Sequence, residues 1–391
     1  MTSTRRRLLV AGLTWILTAA VLRVTLLAPE TCEPLTPDAA HQTAVAAVEW
    51  IVDNQGPDGR YLYVYNRDTG ATPATYNLVR HAGTTMAIYQ LVNSGETEYL
   101  AAADRAVDYM LDRMVDTGPG AASWAEPGDD LQLGAAALMA TSLLIRRQAT
   151  GDPDYDDVLR QLGAFMVGQQ QPDGVMLERW QLETNAPDPN QRSRYATGEA
   201  LWAIAMLHEA FPVDGWDDAA WPTLDYLSLR RDAEEDLFPR PWPDQWAAYS
   251  LAEMAEWDLA DHHIDYARTL AAQFGVQVRW DSQREGLAEI SHPPEPRGAG
   301  FGTVLEGLGM LGRLAEADPR MSDLAADIDE RLVCGSARLA AKQVDATSVV
   351  GAEPALEVGA WFLDDETRMD DQQHAASGLL WAELVLLELD R

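Results

Sequence analysis

Apolar residues recur at helical spacing along almost the whole chain, in two alternating styles. In the first style an apolar stripe is interrupted by charges, which predicts helices with one wet face. Segments 38–54, 96–115, 154–170, 217–230, 263–278 and 321–342 read this way. In the second style charge is scarce and Ala, Gly and Leu dominate, which predicts helices covered on most sides. Segments 79–92, 131–145, 198–210, 245–257, 302–314 and 373–387 belong here. Strict alternation of the two predicts a closed ring, with covered helices inside and amphipathic ones as a sheath. Links from outer to inner helix are long (56–77, 172–195), whereas inner-to-outer links are short (93–95, 150–153). The long loops therefore gather where the inner helices begin, and long loops on a rigid scaffold build binding walls. The aromatic-rich segments 60–70 and 174–184 are expected there as small hairpins.

Two stretches are near copies. Residues 47–59 read AVEWIVDNQGPDG and residues 162–174 read LGAFMVGQQQPDG, each an apolar helical face ending in Gln-x-x-Asp-Gly. Internal repetition constrains the architecture in which every local motif must sit. On this alternation and these repeats the chain resembles an (α/α)6 toroid. That is the architecture of six-hairpin glycosidases and N-acylglucosamine 2-epimerase-like enzymes. The Gln-x-x-Asp-Gly helix ends also resemble the repeats of terpenoid cyclases and protein prenyltransferases. The resemblance implies an all-α barrel over residues 38–391, and no signature selects one family. Fold alone does not settle function.

The N-terminus adds a targeting expectation. Arg5, Arg6 and Arg7 precede an apolar run from Leu8 to Ala28 that is broken by Arg23. The tribasic head belongs on the cytoplasmic side. Leu8–Leu22 has the length of a signal-peptide core, and Leu8–Ala28 just spans a bilayer if Arg23 snorkels. Without a clear small-x-small cleavage site, an uncleaved anchor is preferred to a removed signal. Residues 1–30 are thus expected as signal-anchor or signal peptide, 31–37 as a tether and 38–391 as the barrel. The barrel would lie outside the cytoplasm on a single-pass anchor, or be secreted or periplasmic after cleavage. Cys32 and Cys334 are left as one disulfide or two thiols.

Composition narrows the chemistry. With 62 acidic against 29 basic residues the net charge is −33, which repels phosphate backbones and excludes nucleic acid as a partner. Polar residues cluster where the inner helices start: Tyr76, Asn77, Arg80 and His81; Trp124, Asp129 and Asp130; Arg194, Tyr195 and Glu199. Further round the ring come Trp242, Asp244 and Trp246, then Glu306, then Arg368, Asp370, Asp371, Gln373 and His374. Helix caps need one small polar residue apiece, not Arg, His, Tyr and Trp beside it. Glu199 is the leading acid or base, since burial would raise its pKa and Arg194 would lower it. Its partner is open among Asp129, Asp130, Asp244, Glu306, Asp370 and Asp371, with Asp129 and Asp130 favoured by Trp124 nearby. His81 and His374, opening the first and last inner helices, form a candidate pair for proton transfer on opposite faces of a sugar. Arg80, Arg194 and Arg368 suit an anionic substituent.

The expected function is an extracytoplasmic enzyme acting on a surface polysaccharide or oligosaccharide, hydrolytic through carboxylates, with no cofactor. The alternatives are epimerisation or elimination through the histidine pair, and a non-catalytic glycan-binding subunit. A terpenoid-type cyclase carries little weight. Asp154-Tyr155-Asp156-Asp157 fits a D-x-D-D pattern but opens an outer helix at the short-loop end. No metal is expected, because His262 and His263 lack zinc spacing.

Overall fold

A computed structural model describes residues 3–284 and 288–389. The described chain forms α1 (Ser3–Val24), α2 (Pro37–Asp53), α3 (Leu78–Asn93), α4 (Leu100–Leu111), α5 (Leu133–Thr150), α6 (Asp156–Gly168) and α7 (Ala196–Ala210). It continues with α8 (Asp217–Leu229), the single turn α9 (Arg231–Glu234), α10 (Gln245–Glu253), α11 (Asp261–Ser282), α12 (Gly298–Ala317), α13 (Ala325–Ala340) and α14 (Met369–Leu389). Short strands are β1 (Val64–Asn66), β2 (Met114–Gly118), β3 (Ala121–Trp124), β4 (Leu131–Gln132), β5 (Arg179–Gln181), β6 (Ala186–Pro187) and β7 (Glu366–Arg368).

The inner helices α3, α5, α7, α10, α12 and α14 contact one another in that order, and α14 returns to α3. Behind them, α2 packs on α14 and α3, α4 on α3, α6 on α5 and α7, and α8 on α7. Helix α11 packs on α10 and α12, and α13 on α12 and α14. The protein is an (α/α)6 toroid. Its core fills the space between the two rings, where Ala and Leu on inner helices meet the apolar stripes of outer ones.

The sequence repeat has a structural purpose. Gly59 and Gly174 each adopt φ of 87°. A Cβ at Gly59 would lie 2.2 Å from the Arg105 carbonyl oxygen, and one at Gly174 would lie 2.0 Å from that of Pro222. Only glycine permits both the left-handed turn and the approach to the next outer helix. The repeat glutamines complete the clasp. Gln55 Nε2 donates to the Ala102 carbonyl at 3.0 Å, and Gln170 Nε2 donates to the Ala219 carbonyl at 2.6 Å. A third clasp follows α13, where Gln343 Nε2 donates to the Thr43 carbonyl at 2.9 Å and Gly359 (φ 90°) abuts Ala46. Outer helices are thereby tied edge to edge.

Three local expectations change. The segment 96–115 stops being helical at Leu111, and Met114–Gly118 turns into a hairpin with Ala121–Trp124. Segment 60–70 closes only a tight turn, with Asn66 bridged to Ala71, while its strand Val64–Asn66 pairs antiparallel with Glu366–Arg368 across the ring's seam. Segment 174–184 supplies β5, which pairs with both Leu131–Gln132 and Ala186–Pro187.

Helix α1 stands apart, with its 21-residue apolar stretch unburied and a mean hydropathy of 1.7. The chain after it is fastened to the barrel. Thr31 N donates to the Ser282 carbonyl at 2.9 Å, Gln283 Nε2 donates to the Ala28 carbonyl at 2.8 Å, and Glu30 pairs with Arg331. Cys32 and Cys334 form a disulfide with Cα atoms 5.1 Å apart. Unreduced, denatured protein should therefore show no free thiol by colorimetric titration, against two after reduction. Cys334→Ser should lower unfolding free energy by about 2–4 kcal/mol in denaturant titrations. Free thiols in the unreduced protein would contradict the pairing.

Candidate functional site

A cavity of about 410 Å³ opens at the N-terminal ends of the inner helices, the end where the long loops gather. All six inner helices or their leading residues reach it: Asn77 and Arg80, Gln132 and Gly134, Tyr195 and Glu199, Gln245 and Trp246, Thr303, and Asp370, Gln373 and His374. Glu178, on the loop before α7, completes the rim. The lining is polar and rich in amides, with one indole.

Glu199 sits in the first turn of α7 and is 5% exposed. A Cβ at position 134 would fall 2.2 Å from its Oε2, so the glycine on α5 leaves the space this carboxyl occupies. Its side chain has no hydrogen-bond partner among the described residues. Burial first, then the charges of Asp244 and Glu178, push its carboxyl up to about 8. Glu199 is therefore protonated at neutral pH and faces the cavity. The predicted influence of Arg194 is absent: that side chain is exposed and lies over the Trp242 ring, 4.9 Å from its centroid.

Opposite α7 in the ring, α14 presents an ionic cluster. Arg80 Nε lies 3.0 Å from Asp370 Oδ2, and Arg80 also donates to the Tyr63 hydroxyl. Asp370 Oδ1 is buried with no hydrogen-bond partner among the described residues. One turn further, His374 Nδ1 lies 2.7 Å from Oε2 of the fully buried Glu306. Burial works against a charged His374, yet the Glu306 carboxylate outweighs it and His374 titrates above its ordinary range. The Trp246 ring stands 5.9 Å from that of His374, on the wall between the two sides.

Of the expected residues, Asn77, Arg80, Tyr195, Glu199, Trp246, Asp370, Gln373 and His374 line the cavity, and Glu306 backs His374. The others do not reach it. His81 lies one residue beyond Arg80, about 100° around α3, and so points outward at α4. It is fully buried, with Nε2 donating to the Ala106 carbonyl at 3.1 Å and Nδ1 accepting from the Tyr76 hydroxyl at 2.6 Å. The His81–His374 pair does not exist, and Tyr76 serves His81 rather than a ligand.

Trp124 is likewise core, its indole N–H donating to the Ala135 carbonyl at 2.9 Å. Asp129 is exposed, and Asp130 accepts from the Leu182 N–H at 3.0 Å, so neither borders the cavity. Asp244 is wholly buried; it caps α10 and pairs with buried Arg231. Asp371 joins Arg297 at 2.8 Å and accepts from the Ala299 N–H at 2.9 Å, tying α12 to α14. Arg368 pairs with Glu366 at 2.8 Å, and Trp242 faces a neighbouring groove. Asp156, from the D-x-D-D match, pairs with Arg147 on the outside.

Glu178, Gln132 and Ser193 were not singled out by the sequence, because they come from loops and strand ends that carry no helical periodicity. Burial raises the Glu178 carboxyl against the pull of Arg179.

One cluster away from the cavity has metal-ligand residue types. His262 Nε2 and His263 Nε2 each lie 2.9 Å from Asp225 Oδ1. His263 Nδ1 already accepts from the Ala260 N–H at 3.2 Å, so its Nε2 must carry the proton given to Asp225. That nitrogen has no lone pair for a metal.

The neutral His81 makes stability pH-dependent. Burial lowers its pKa to about 4, so between there and its ordinary 6.5 the unfolded chain binds a proton that the folded chain refuses. The contribution is fully present above 6.5 and is lost as pH falls. Going from pH 7.5 to pH 5, wild type should lose about 2 kcal/mol more than His81→Gln in urea titrations. Parallel losses would show that His81 is not held neutral.

No family model and no curated protein sequence matches the chain. Solved structures do. An α-mannanase of the GH76 type from Bacteroides thetaiotaomicron superposes with a TM-score of 0.62 at 11% identity, covering 90% of this chain and 97% of its own. Cellobiose 2-epimerase from Spirochaeta thermophila gives 0.62 at 15% identity, covering 91% and 99%. A D-mannose isomerase gives 0.62 at 14% identity, covering 90% and 97%. At these identities the likeness is one of fold: the chain shares the (α/α)6 toroid of these structures.

Proposed function

We propose that this protein is a carbohydrate-active enzyme, a glycoside hydrolase that protonates the leaving oxygen with Glu199 and activates water with Asp370. The observation that carries this reading is an unpartnered carboxyl raised to about 8, Glu199 on α7, lining the same cavity as the Arg80-paired Asp370 on α14, the helix opposite it in the ring. Inverting hydrolysis needs an acid on one face of the sugar and a base on the other, about 6.5–9.5 Å apart, and this reading requires that separation of Glu199 and Asp370 when substrate is bound. Glu199 gives its proton to the glycosidic oxygen as the bond to the anomeric carbon breaks. Water attacks the opposite face of that carbon and yields its proton to the Asp370 carboxylate. Arg80 pairs with Asp370 Oδ2 at 3.0 Å and orients it. Trp246 offers an apolar face to a pyranose ring, and Asn77, Gln132, Gln245 and Gln373 offer amides to its hydroxyls. The structural neighbours, a mannanase, an isomerase and an epimerase, agree with a saccharide ligand. A related mannanase was solved as an inactive double Asp-to-Asn variant with α-1,6-mannotriose (12% identity, TM-score 0.58, covering 88% of this chain and 99% of its own).

A second reading rests on the His374–Glu306 dyad. An imidazole held through Nδ1 by a buried carboxylate, its affinity for a proton raised by that partner, is a strengthened base at Nε2 once that nitrogen is deprotonated. With Glu199 across the cavity, it would exchange a proton at the carbon beside a sugar carbonyl and so epimerise it. Both readings are placed outside the cytoplasm, on α1 as an anchor. The unburied apolar helix and the disulfide support that placement.

The test is turnover on neutral and uronic polysaccharides and on manno-oligosaccharides. Released reducing ends report hydrolysis, and deuterium uptake from D₂O reports epimerisation. Glu199→Gln should cut kcat by about 10²–10⁴-fold. Because the protonated form acts as the acid, wild-type kcat/KM should hold below pH 8 and fall above it. That limb should vanish in Glu199→Gln. Deuterium uptake without reducing ends selects the epimerase, and full activity in Glu199→Gln contradicts both readings.

A further inference from the structure

Beside the cavity runs a second, larger concavity of about 550 Å³ whose walls are apolar. Pro239, Trp242, Trp280, Pro293, Pro294 and Phe301 form it, between the C-terminal half of α11, the start of α12 and the loop before α10. Gly300 borders both concavities, and Tyr195 of the cavity meets Trp242 of the groove edge-on at 6.2 Å. The two concavities are therefore adjacent, sharing a border at Gly300. On the groove's wall Val276 is 42% exposed, and Phe238, next in the chain to the lining residue Pro239, is 84% exposed. A water-facing surface gains nothing from such residues together.

The groove's position gives them a reason. The chain leaving α1 is fastened to the same end of α11. Arg279 donates to the Leu26 carbonyl at 3.3 Å and pairs with Glu30 at 3.5 Å. Arg279 lies one residue before Trp280 and three beyond Val276, about 5 Å along the helix axis. The apolar helix α1 therefore ends beside the groove. In a protein anchored by α1, this side of the barrel is held near the bilayer surface.

We infer that the groove receives the hydrocarbon chain of a membrane-borne glycolipid whose saccharide end enters the Glu199 cavity. This deepens the carbohydrate reading and rests on it. A bare bilayer would need a convex contact, whereas this surface is concave and borders the cavity. Few charges face it; Asp281 and Arg284 pair with each other at 3.0 Å. The strong negative charge of the protein selects a neutral saccharide head.

The test uses full-length protein in nanodiscs, with empty discs as reference, and two probes: methyl α-mannoside and octyl α-mannoside. Burial of the octyl chain should tighten binding by about tenfold or more over the methyl glycoside. Val276→Glu puts a charge on an exposed rim position, so the fold is kept. It should bring octyl binding down to the methyl level and leave turnover of free saccharide unchanged. Equal affinity of the two probes in wild type overturns the inference, as does an octyl advantage that Val276→Glu does not reduce. Saccharide turnover without octyl preference sinks the groove and spares the carbohydrate reading. Octyl preference without turnover of any saccharide keeps the groove and sinks the hydrolase.

Discussion

Closure of the ring between its first and last inner helices is the contact on which the rest of the structure depends. Residues some 300 positions apart meet there, and loop-closure entropy opposes them. Several interactions offset that cost in one place. Val64–Asn66 pairs with Glu366–Arg368, Met369 N donates to the Tyr63 carbonyl at 3.1 Å, and Arg80 joins Asp370 at 3.0 Å. The last of these is also the charged half of the cavity. Architecture and chemistry share the same residues, so the cavity exists only when the toroid is shut.

Most of the carboxylates at this end serve the scaffold. Buried Asp244 pairs with buried Arg231, and buried Asp371 pairs with half-buried Arg297, each joining neighbouring segments, because an ion taken from water is tolerated only when so paired. Once they are assigned, Glu199, Glu178 and Asp370 are the carboxyls lining the cavity among the described residues. Of these, Glu199 lacks any counter-charge and stays neutral. Its chemistry follows from the absence of a partner, and Gly134 keeps space for it.

The alternation of wet and covered helices was legible because each helix in a two-layer ring has a distinct burial pattern. The cavity's end of the barrel was legible from loop lengths. Which polar residue faces inward was not, because a single residue's step turns a side chain through about 100°. Arg80 and His81 are neighbours in sequence, yet one lines the cavity and the other is locked against α4. Asp370 and Asp371 divide in the same way, one reaching the cavity and one clasping α12. The third outer clasp escaped notice because its glutamine and glycine, Gln343 and Gly359, are separated by a loop rather than by three residues. Cys32 and Cys334 offered no spacing signal; only the tether's path along α11 and α13 brings them together.

The most direct test of the account is a crystal structure of Glu199→Gln with whichever oligosaccharide wild type processes best. The account predicts a sugar ring against Trp246, its scissile oxygen at the amide that replaces the Glu199 carboxyl, and its opposite face toward Asp370. A saccharide bound at the other mouth of the barrel, or on the outer helices, would contradict it.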